Sequence, residues 1–285
     1  MTIQPATQSF TGIEIRQLGP SIGAEIHGVD LSQNLSDDTI SAIRASLLEH
    51  KVIFFRDQNI TRAQHIDFAR RFGDLEIHPA TPADQADPEI LRIAHGPTSK
   101  GKENNWHSDV TWRAEPSLGS ILRAIELPPC GGDTLFADMH GAYDGLSPAM
   151  QQWVCGLTAV HDIARVFAKR LGTSADELRA KFPPQEHPVV RTHPETGKRG
   201  LYVNTGFTSH IIGLSTKESD WLLQHLYELA RVPEYQCRFV WRPNSIAFWD
   251  NRACQHYAAS DYFPQVRIME RATVKGDRPY FDPAR

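Results

Sequence analysis

The sequence lacks the features that would place a protein in a membrane, outside the cell or on nucleic acid. No apolar run approaches the ~20 residues that a membrane-spanning helix needs, and the N-terminus carries no signal-peptide pattern. The net charge is −4, without a basic stretch for nucleic acid or an anionic membrane surface. The four cysteines form no CxxC pair, which favours a reduced, cytoplasmic compartment over a disulfide framework.

The order of the predicted helices and strands favours one domain that spans residues 1–285, since no internal repeat or linker divides it. Helices are predicted after the N-caps Ser36, Thr61 and Ser215, where apolar residues recur at helical spacing. Strands are predicted at 13–15, 24–26, 51–55, 119–124, 132–137, 189–191, 201–204, 237–241, 245–249 and 266–274. Many short strands with few helices predict a mainly β fold with flanking helices (α+β), arranged as a sandwich or jelly roll.

Residues 79–105 form a long irregular stretch of the predicted fold. They are rich in proline, aspartate, glycine and asparagine. An irregular segment of this length within a domain is usually functional. We therefore expect an active-site loop or lid around 79–105.

A His-x-Asp pattern occurs twice, and about one copy is expected by chance from 13 His and 19 Asp in 285 residues. His65 and Asp67 lie in the helix predicted after Thr61, where residues two apart point ~200° away from each other. His107 and Asp109 precede Val-Thr-Trp, which is typical of strands, where residues two apart share a face. The second copy is therefore the one expected to bind a metal ion.

His256 is the best candidate for a third metal ligand, because it follows the strand predicted at 245–249 and a turn at Asp250-Asn251. Two His and one Asp on one face form the facial triad of non-haem Fe(II) oxygenases, which leaves three positions of an octahedral ion open. One alternative is that His256 is an ordinary half-buried histidine. Others are a zinc hydrolase with the same three ligands, or a jelly-roll binding protein without catalysis.

Arg267 and Arg271 lie four residues apart on the strand predicted at 266–274, so both point to the same side. If that side is the interior, two buried guanidiniums cost several kcal/mol per ion unless anions neutralise them. Glu270 points the other way. A dianion such as 2-oxoglutarate, together with an anionic substrate, fits this need, because the planar guanidinium binds a carboxylate or sulfonate through two hydrogen bonds. The alternative is that both arginines lie on a solvated outer face.

The chain resembles the taurine/2,4-D dioxygenases over nearly its whole length. The motifs that carry the resemblance are, in order, "NNWHSDVTW", "ELPPCGGDTLFADM", "HPVVRTHPETGKRGLYVN", "WDNRACQHYAASDY" and "RIMERATVKGDRP". Together they are far more specific than His-x-Asp alone. The resemblance implies a double-stranded β-helix (jelly-roll) fold and an enzyme that uses Fe(II), 2-oxoglutarate and O2.

The resemblance also implies which residues hold the metal ion and the co-substrate. The metal ligands fall on His107, Asp109 and His256. The residues that bind the far carboxylate of 2-oxoglutarate correspond to Thr134 and Arg267. The implied co-substrate site thus lies beside the implied metal site.

For the substrate, the resemblance implies a small anion. Its sulfonate would be held by His78, Arg271 and the backbone at Val110, between the pocket residues Phe167 and Phe207. The implied reaction hydroxylates the carbon next to the sulfonate of taurine or a related alkylsulfonate, and it releases sulfite and an aldehyde with succinate and CO2. A homo-oligomer, either a dimer or a tetramer, is also expected.

Four positions depart from the pattern of the taurine enzymes. Thr81, Trp112 and Val166 replace a Tyr, a Phe and a small polar residue, and Glu103 stands where those enzymes carry an Asn near the amine. In one interpretation Glu103 binds the ammonium of taurine. In the other it faces solvent, and the pocket accepts a different sulfonate, an alkyl sulfate or an aryloxyalkanoate.

Overall fold

The protein is described by a computed structural model that covers residues 7–10, 12–78, 81 and 86–285. The α-helices are Asp37–His50 (α1), Arg62–Arg70 (α2), Met139–Asp144 (α3), Pro148–Val154 (α4), Ala164–Leu171 (α5), Ala175–Lys181 (α6) and Thr216–Leu229 (α7). The strands are Thr7–Phe10 (β1), Ile13–Gln17 (β2), Ala24–His27 (β3), Val52–Phe55 (β4), Ile90–His95 (β5), Gly119–Glu126 (β6), Thr134–Asp138 (β7), Thr158–His161 (β8), Gln185–Pro188 (β9), Val190–Thr192 (β10), Arg199–Leu201 (β11), Thr208–Ile211 (β12), Gln236–Phe239 (β13), Ile246–Asp250 (β14), Cys254–Ala258 (β15) and Arg267–Val274 (β16). The fold is therefore mixed α/β. None of the described helices combines the length and the apolar content that a bilayer crossing requires.

Eight strands form the largest sheet, in the order β1-β2-β3-β4-β14-β6-β16-β5. Helices α1 and α2 pack on one face of it and bury Ile43 and Leu47 in a shared apolar core. Ser36 and Thr61 cap these two helices as predicted, since each side-chain oxygen accepts a backbone N–H of the first turn. Strand β16, with its predicted arginines, lies near one edge of this sheet.

The opposite face of the sheet packs against a three-stranded sheet with the order β13-β7-β15. Phe54 of β4 stacks on Phe239 of β13, with ring centroids 4.0 Å apart. Thr134 opens β7 and His256 lies on β15, so the small sheet carries two predicted site residues. Both line one cavity together with Arg267 of the large sheet. The site therefore lies between the two sheets.

The prediction of few helices is wrong for residues 139–181, where the structure has helices α3 to α6. Each of these helices has only six to eight residues. Such helices are too short to show a clear apolar period and depend on packing for their stability. Their N-caps were the available signal, since Ser147 and Ser174 each accept a backbone N–H of the following turn.

The segment 79–105 also departs from its prediction, because strand β5 forms at Ile90–His95. This strand pairs with β16, with Leu91 opposite Arg271. Pairing with a strand more than 170 residues away overrides a weak local signal. Residues 79–80 and 82–85 of the predicted lid lie outside the described residues.

Candidate active site

Three predicted metal ligands meet at one point. Nε2 of His107 lies 3.9 Å from Oδ1 of Asp109, and Nε2 of His256 lies 4.0 Å from the same oxygen. The donor atoms all lie within 4.8 Å of one another, and no other cluster of three or more such residues occurs in the described part of the chain. The predicted triad is therefore assembled in space.

A short backbone bridge joins the two histidines. The amide of His107 donates to the carbonyl of His256 at 3.1 Å, and the amide of His256 donates back to the carbonyl of His107 at 2.8 Å. Their ring centroids are 4.2 Å apart. Two segments about 150 residues apart in sequence thus present both imidazoles to one ion.

The predicted strand after His107 is wrong, because residues 109–112 form a turn. Val110 has a φ of +49°, which strands do not allow. His107 and Asp109 still converge, but the turn brings them together rather than a shared strand face. The first His-x-Asp copy does lie on a helix, as predicted: His65 is fully buried and donates to the carbonyl of Ile121, whereas the side chain of Asp67 is 74% exposed.

The buried side chain of Asn251 holds this turn. Its Oδ1 accepts the amide of Asp109 at 2.6 Å, and its Nδ2 donates to the carbonyl of Asp109 at 2.9 Å. Nδ2 also lies within hydrogen-bond distance of the carbonyl and hydroxyl of Ser117. One amide side chain therefore fixes the backbone on both sides of the carboxylate ligand and overrides the strand preference of Val-Thr-Trp.

We expect Asn251→Ala to lower the free energy of unfolding by about 3 kcal/mol, because several buried donors and acceptors lose their partners. We also expect the affinity for Fe(II) to fall by about tenfold, since groups that orient a ligand typically contribute this much. Chemical denaturation and metal titration of the apoprotein measure the two effects. Asn34→Ala, at an exposed asparagine, is the control; an unchanged metal affinity in Asn251→Ala would show that the turn forms without this clamp.

The protonation states suit a divalent metal ion. Nδ1 of His107 donates to the carbonyl of Asn105 at 2.8 Å, which leaves its Nε2 lone pair for the ion. Burial, reinforced by His107 and Arg271, lowers the pKa of His256 to about 3, so this imidazole is neutral near pH 7. Burial alone raises the pKa of Asp109, but Arg271 and the two histidines bring it well below its usual range. Two imidazoles and one carboxylate match the donor set of Fe(II) in facial-triad oxygenases.

Arg267 and Thr134 line a cavity next to this cluster. Arg267 is 5% exposed, its Nε donates to the carbonyl of Gly132 at 3.0 Å, and its Nη2 is buried without a hydrogen-bond partner among the residues described. Gly132 has a φ of +73°, and a Cβ there would lie 3.0 Å from Cδ of Arg267, so the position requires glycine. Trp241 donates to the hydroxyl of Thr134 at 3.0 Å. A buried guanidinium with a free N–H beside a fixed hydroxyl fits the far carboxylate of 2-oxoglutarate.

A second cavity contains all six predicted substrate residues. It is lined by His78, Leu91, Ile93, Glu103, Asn105, His107, Asp109, Val110, Trp112, Val166, Phe167, Arg170, Phe207 and Arg271. It shares His107 and Arg271 with the first cavity, so the metal cluster lies where the two meet. The departures Trp112 and Val166 also line it.

Both arginines of β16 point inward, since Arg267 is 5% and Arg271 is 9% exposed; the alternative of a solvated outer face is therefore wrong. Arg271 meets an anion that the sequence did not indicate. Its Nη1 lies 2.9 and 3.0 Å from the two carboxylate oxygens of Asp109, while its Nε has no hydrogen-bond partner in the described structure. Glu270 points away and pairs with Arg62 at 2.6 Å. Arg271 thus neutralises Asp109, a metal ligand, and its Nε–H stays unused in the described structure.

Glu103 lines the second cavity with protein partners that neither interpretation drawn from the sequence included, and both interpretations stay predictions. Its carboxylate accepts His95 Nε2 at 3.0 Å and the amide of Lys102 at 3.0 Å, and one oxygen lies 3.4 Å from Nη1 of Arg170. Burial alone raises the pKa of Glu103, but these hydrogen bonds and the positive charge of Arg170 lower it to about 2. The sequence missed both partners. Arg170 follows Phe167 by one helical turn, which was the available signal.

The arrangement of two imidazoles, a carboxylate and two buried arginines defines a non-haem Fe(II) dioxygenase that uses 2-oxoglutarate. The chain belongs to the taurine catabolism dioxygenase TauD, TfdA family, which matches residues 14–273. It is accordingly an α-ketoglutarate-dependent dioxygenase. Membership of this family disfavours the two alternatives considered for the same three ligands, a zinc hydrolase and a binding protein without catalysis.

Individual relatives match over most of their length. An alkylsulfatase from Acinetobacter baylyi is 37% identical over 286 residues, which cover 96% of this chain and 88% of the relative. An α-ketoglutarate-dependent sulfate ester dioxygenase from Pseudomonas putida is 35% identical, with 94% and 91% covered. A crystal structure of a taurine dioxygenase from Burkholderia xenovorans superimposes with a TM-score of 0.84 at 38% identity, and 96% of this chain and 93% of that chain are covered.

Proposed function

We propose that the enzyme hydroxylates the carbon next to the sulfonate of an alkylsulfonate. This class includes taurine and relatives that lack its ammonium group. One oxygen atom of O2 enters the substrate and the other enters succinate, while 2-oxoglutarate loses CO2. The hydroxylated carbon then expels sulfite and becomes an aldehyde. The observation that carries the proposal is the position of Arg271 and His78 in an otherwise largely apolar cavity that two of the three metal ligands, His107 and Asp109, also line.

Each end of the site has its own task in this proposal. Bound iron and 2-oxoglutarate supply an oxidant strong enough to attack an unactivated C–H bond. Arg267 and Thr134 hold the far carboxylate of 2-oxoglutarate, and the free Nε of Arg271 donates to the sulfonate. Phe167 and Phe207, whose rings stack 6.4 Å apart, exclude water from the reacting carbon.

His78 contributes a neutral donor to this anion site. Burial, together with Arg271 and Arg113, lowers the pKa of His78 to about 4. The imidazole is therefore uncharged near pH 7 in the free enzyme, and a bound sulfonate would raise its pKa again. One guanidinium and one neutral imidazole at this end of the cavity suit the single negative charge of a sulfonate group.

Sulfate esters are the second candidate substrates, and two relatives that act on alkyl sulfates or sulfate esters favour them. A sulfate ester offers the same three terminal oxygens to Arg271 and His78, with one more oxygen before the carbon. Aryloxyalkanoates place a carboxylate there instead. A panel of the three compound classes, assayed for succinate release with Fe(II) and 2-oxoglutarate, tests the proposal. If only aryloxyalkanoates stimulated succinate release, the proposal that the enzyme binds a sulfo group would be wrong.

We expect Arg271→Met to lower substrate-dependent succinate release by about 100-fold, because the sulfonate loses its charged donor. Slow turnover of 2-oxoglutarate without substrate should remain, since Arg267 still binds it. Arg271→Lys, which keeps the charge beside Asp109, should be affected less. Loss of 2-oxoglutarate binding in Arg271→Met would mean that the two arginines have been assigned in the wrong order.

The arrangement of the two sheets, the cellular compartment and the oligomeric state belong to the same proposal. The large sheet and β13-β7-β15 are the two halves of a double-stranded β-helix within a single domain of residues 1–285. Four free cysteines support a reduced, cytoplasmic compartment. A dimer or tetramer stays a prediction, which sedimentation or light scattering would test.

A further inference from the structure

The substrate cavity is the second cavity described above, which contains the six predicted substrate residues. It opens to solvent through a positively charged mouth. An open cavity lined by Lys102, Asn105, Arg165, Val166, Arg170, Thr205 and Gly206 shares three residues with the substrate cavity: Asn105, Val166 and Arg170. Lys102 and Arg165 are exposed, and within the described ranges neither side chain forms an ion pair. A substrate whose sulfo group lies at Arg271 extends its far end toward this mouth.

Arg170 is held rigidly between the two cavities. Its Nη2 donates to the carbonyl of Lys102, and its Nη1 lies 3.4 Å from Oε1 of Glu103. The guanidinium carbon lies 5.6 Å from the ring centre of Phe167, one helical turn earlier on α5. A guanidinium fixed from several sides stays in place when a substrate enters.

Glu103 offers no free carboxylate to a cationic substrate. Its oxygens already serve His95, the amide of Lys102 and Arg170. An ammonium group that binds Glu103 would compete with Arg170 for its oxygens and would lie beside that guanidinium. The two like charges would repel each other at a partly buried site.

We propose that Arg170 is the specificity-determining residue at the far end of the substrate cavity, where it rejects substrates with an ammonium group and favours neutral or anionic ends. This inference rests on the proposed function, because it takes the sulfo group to bind at Arg271. The enzyme then prefers sulfonates whose far end is neutral or anionic to taurine, whose far end is cationic. Removal of the guanidinium also frees Glu103 to bind an ammonium, so the preference should change in a defined direction.

Three sulfonates of similar length, which differ mainly in the charge of the far end, test this inference: taurine, propane-1-sulfonate and 3-sulfopropanoate. In the wild type, we expect kcat/KM for the neutral and the anionic compound to exceed that for taurine by at least about tenfold, equivalent to one modest charge interaction. Arg170→Gln should shrink this margin at least fivefold. Arg170→Lys should keep it, because the charge remains. Lys169→Gln removes an exposed cation from the same helix and is the control.

The comparison within each variant separates specificity from folding, because a loosened helix α5 lowers kcat/KM for all three compounds alike. Equal or better turnover of taurine in the wild type overturns the inference, and so does an unchanged margin in Arg170→Gln. If no sulfonate stimulates succinate release in the wild type, the proposed alkylsulfonate activity fails instead. The same panel run with sulfate esters then shows whether Arg170 acts on the second candidate class.

Discussion

Alanine at any one of His107, Asp109 and His256 is expected to reduce succinate release to below about one-thousandth of the wild-type rate, because Fe(II) loses one of three protein ligands. The donor atoms of these side chains lie within 4.8 Å of one another. Nε2 of both histidines already lies about 4 Å from Oδ1 of Asp109, so the site needs little rearrangement to bind a metal ion. Titration of each apoprotein with Fe(II) or Co(II) under anaerobic conditions should show the loss directly.

Folding defects must be separated from loss of the metal. Asp109→Ala leaves Arg271 buried without its carboxylate, so Asp109→Asn is the better variant at that position. Asp67→Ala, in the other His-x-Asp copy, is the matched control and should retain full metal affinity. His65→Ala should retain it as well but lose stability, because His65 is fully buried and hydrogen-bonded. Equal loss of metal from either of these two variants would contradict the assignment.

The sequence predicted best where the alternation of side chains along one strand places the chemistry. Arg267 and Arg271 share the interior face of β16 because side chains alternate along a strand, and this alternation does not depend on the register of the neighbours. His256 could be chosen because it follows an apolar strand and a turn. The N-cap residues Ser36 and Thr61 likewise marked the starts of helices α1 and α2, because an N-cap interacts with residues only a few positions away in sequence.

The sequence predicted worst where distant contacts decide the backbone. Val-Thr-Trp favours a strand, but Asn251, 142 residues away from Asp109, fixes a turn there. Strand β5 forms because β16 offers it an edge, and its own sequence has only a weak strand pattern. The partners of Glu103 depend on that strand and on the short helix α5. Local sequence alone therefore could not show which groups hold the carboxylate of Glu103.

Arg267→Met is expected to raise the Kd for 2-oxoglutarate at least about 100-fold, because the far carboxylate loses its two-pronged donor. Binding can be followed anaerobically with the Fe(II) protein by the visible absorption of the chelate. Arg267→Lys keeps a charge but not the planar fork, so an intermediate loss of about tenfold is expected. Arg242→Met, at an exposed arginine, is the control and should bind normally.

The stability of Arg267→Met distinguishes a ligand-binding arginine from a structural one. Burial lowers the pKa of Arg267, and Nη2 has no protein partner in the described structure. The empty site therefore holds a cation at a net cost, which an apolar side chain of similar length relieves. Without 2-oxoglutarate, the variant should unfold at the same denaturant concentration as the wild type or a higher one, whereas added 2-oxoglutarate should stabilise only the wild type. A large loss of stability in the free protein, with 2-oxoglutarate still bound, would assign Arg267 to the scaffold instead.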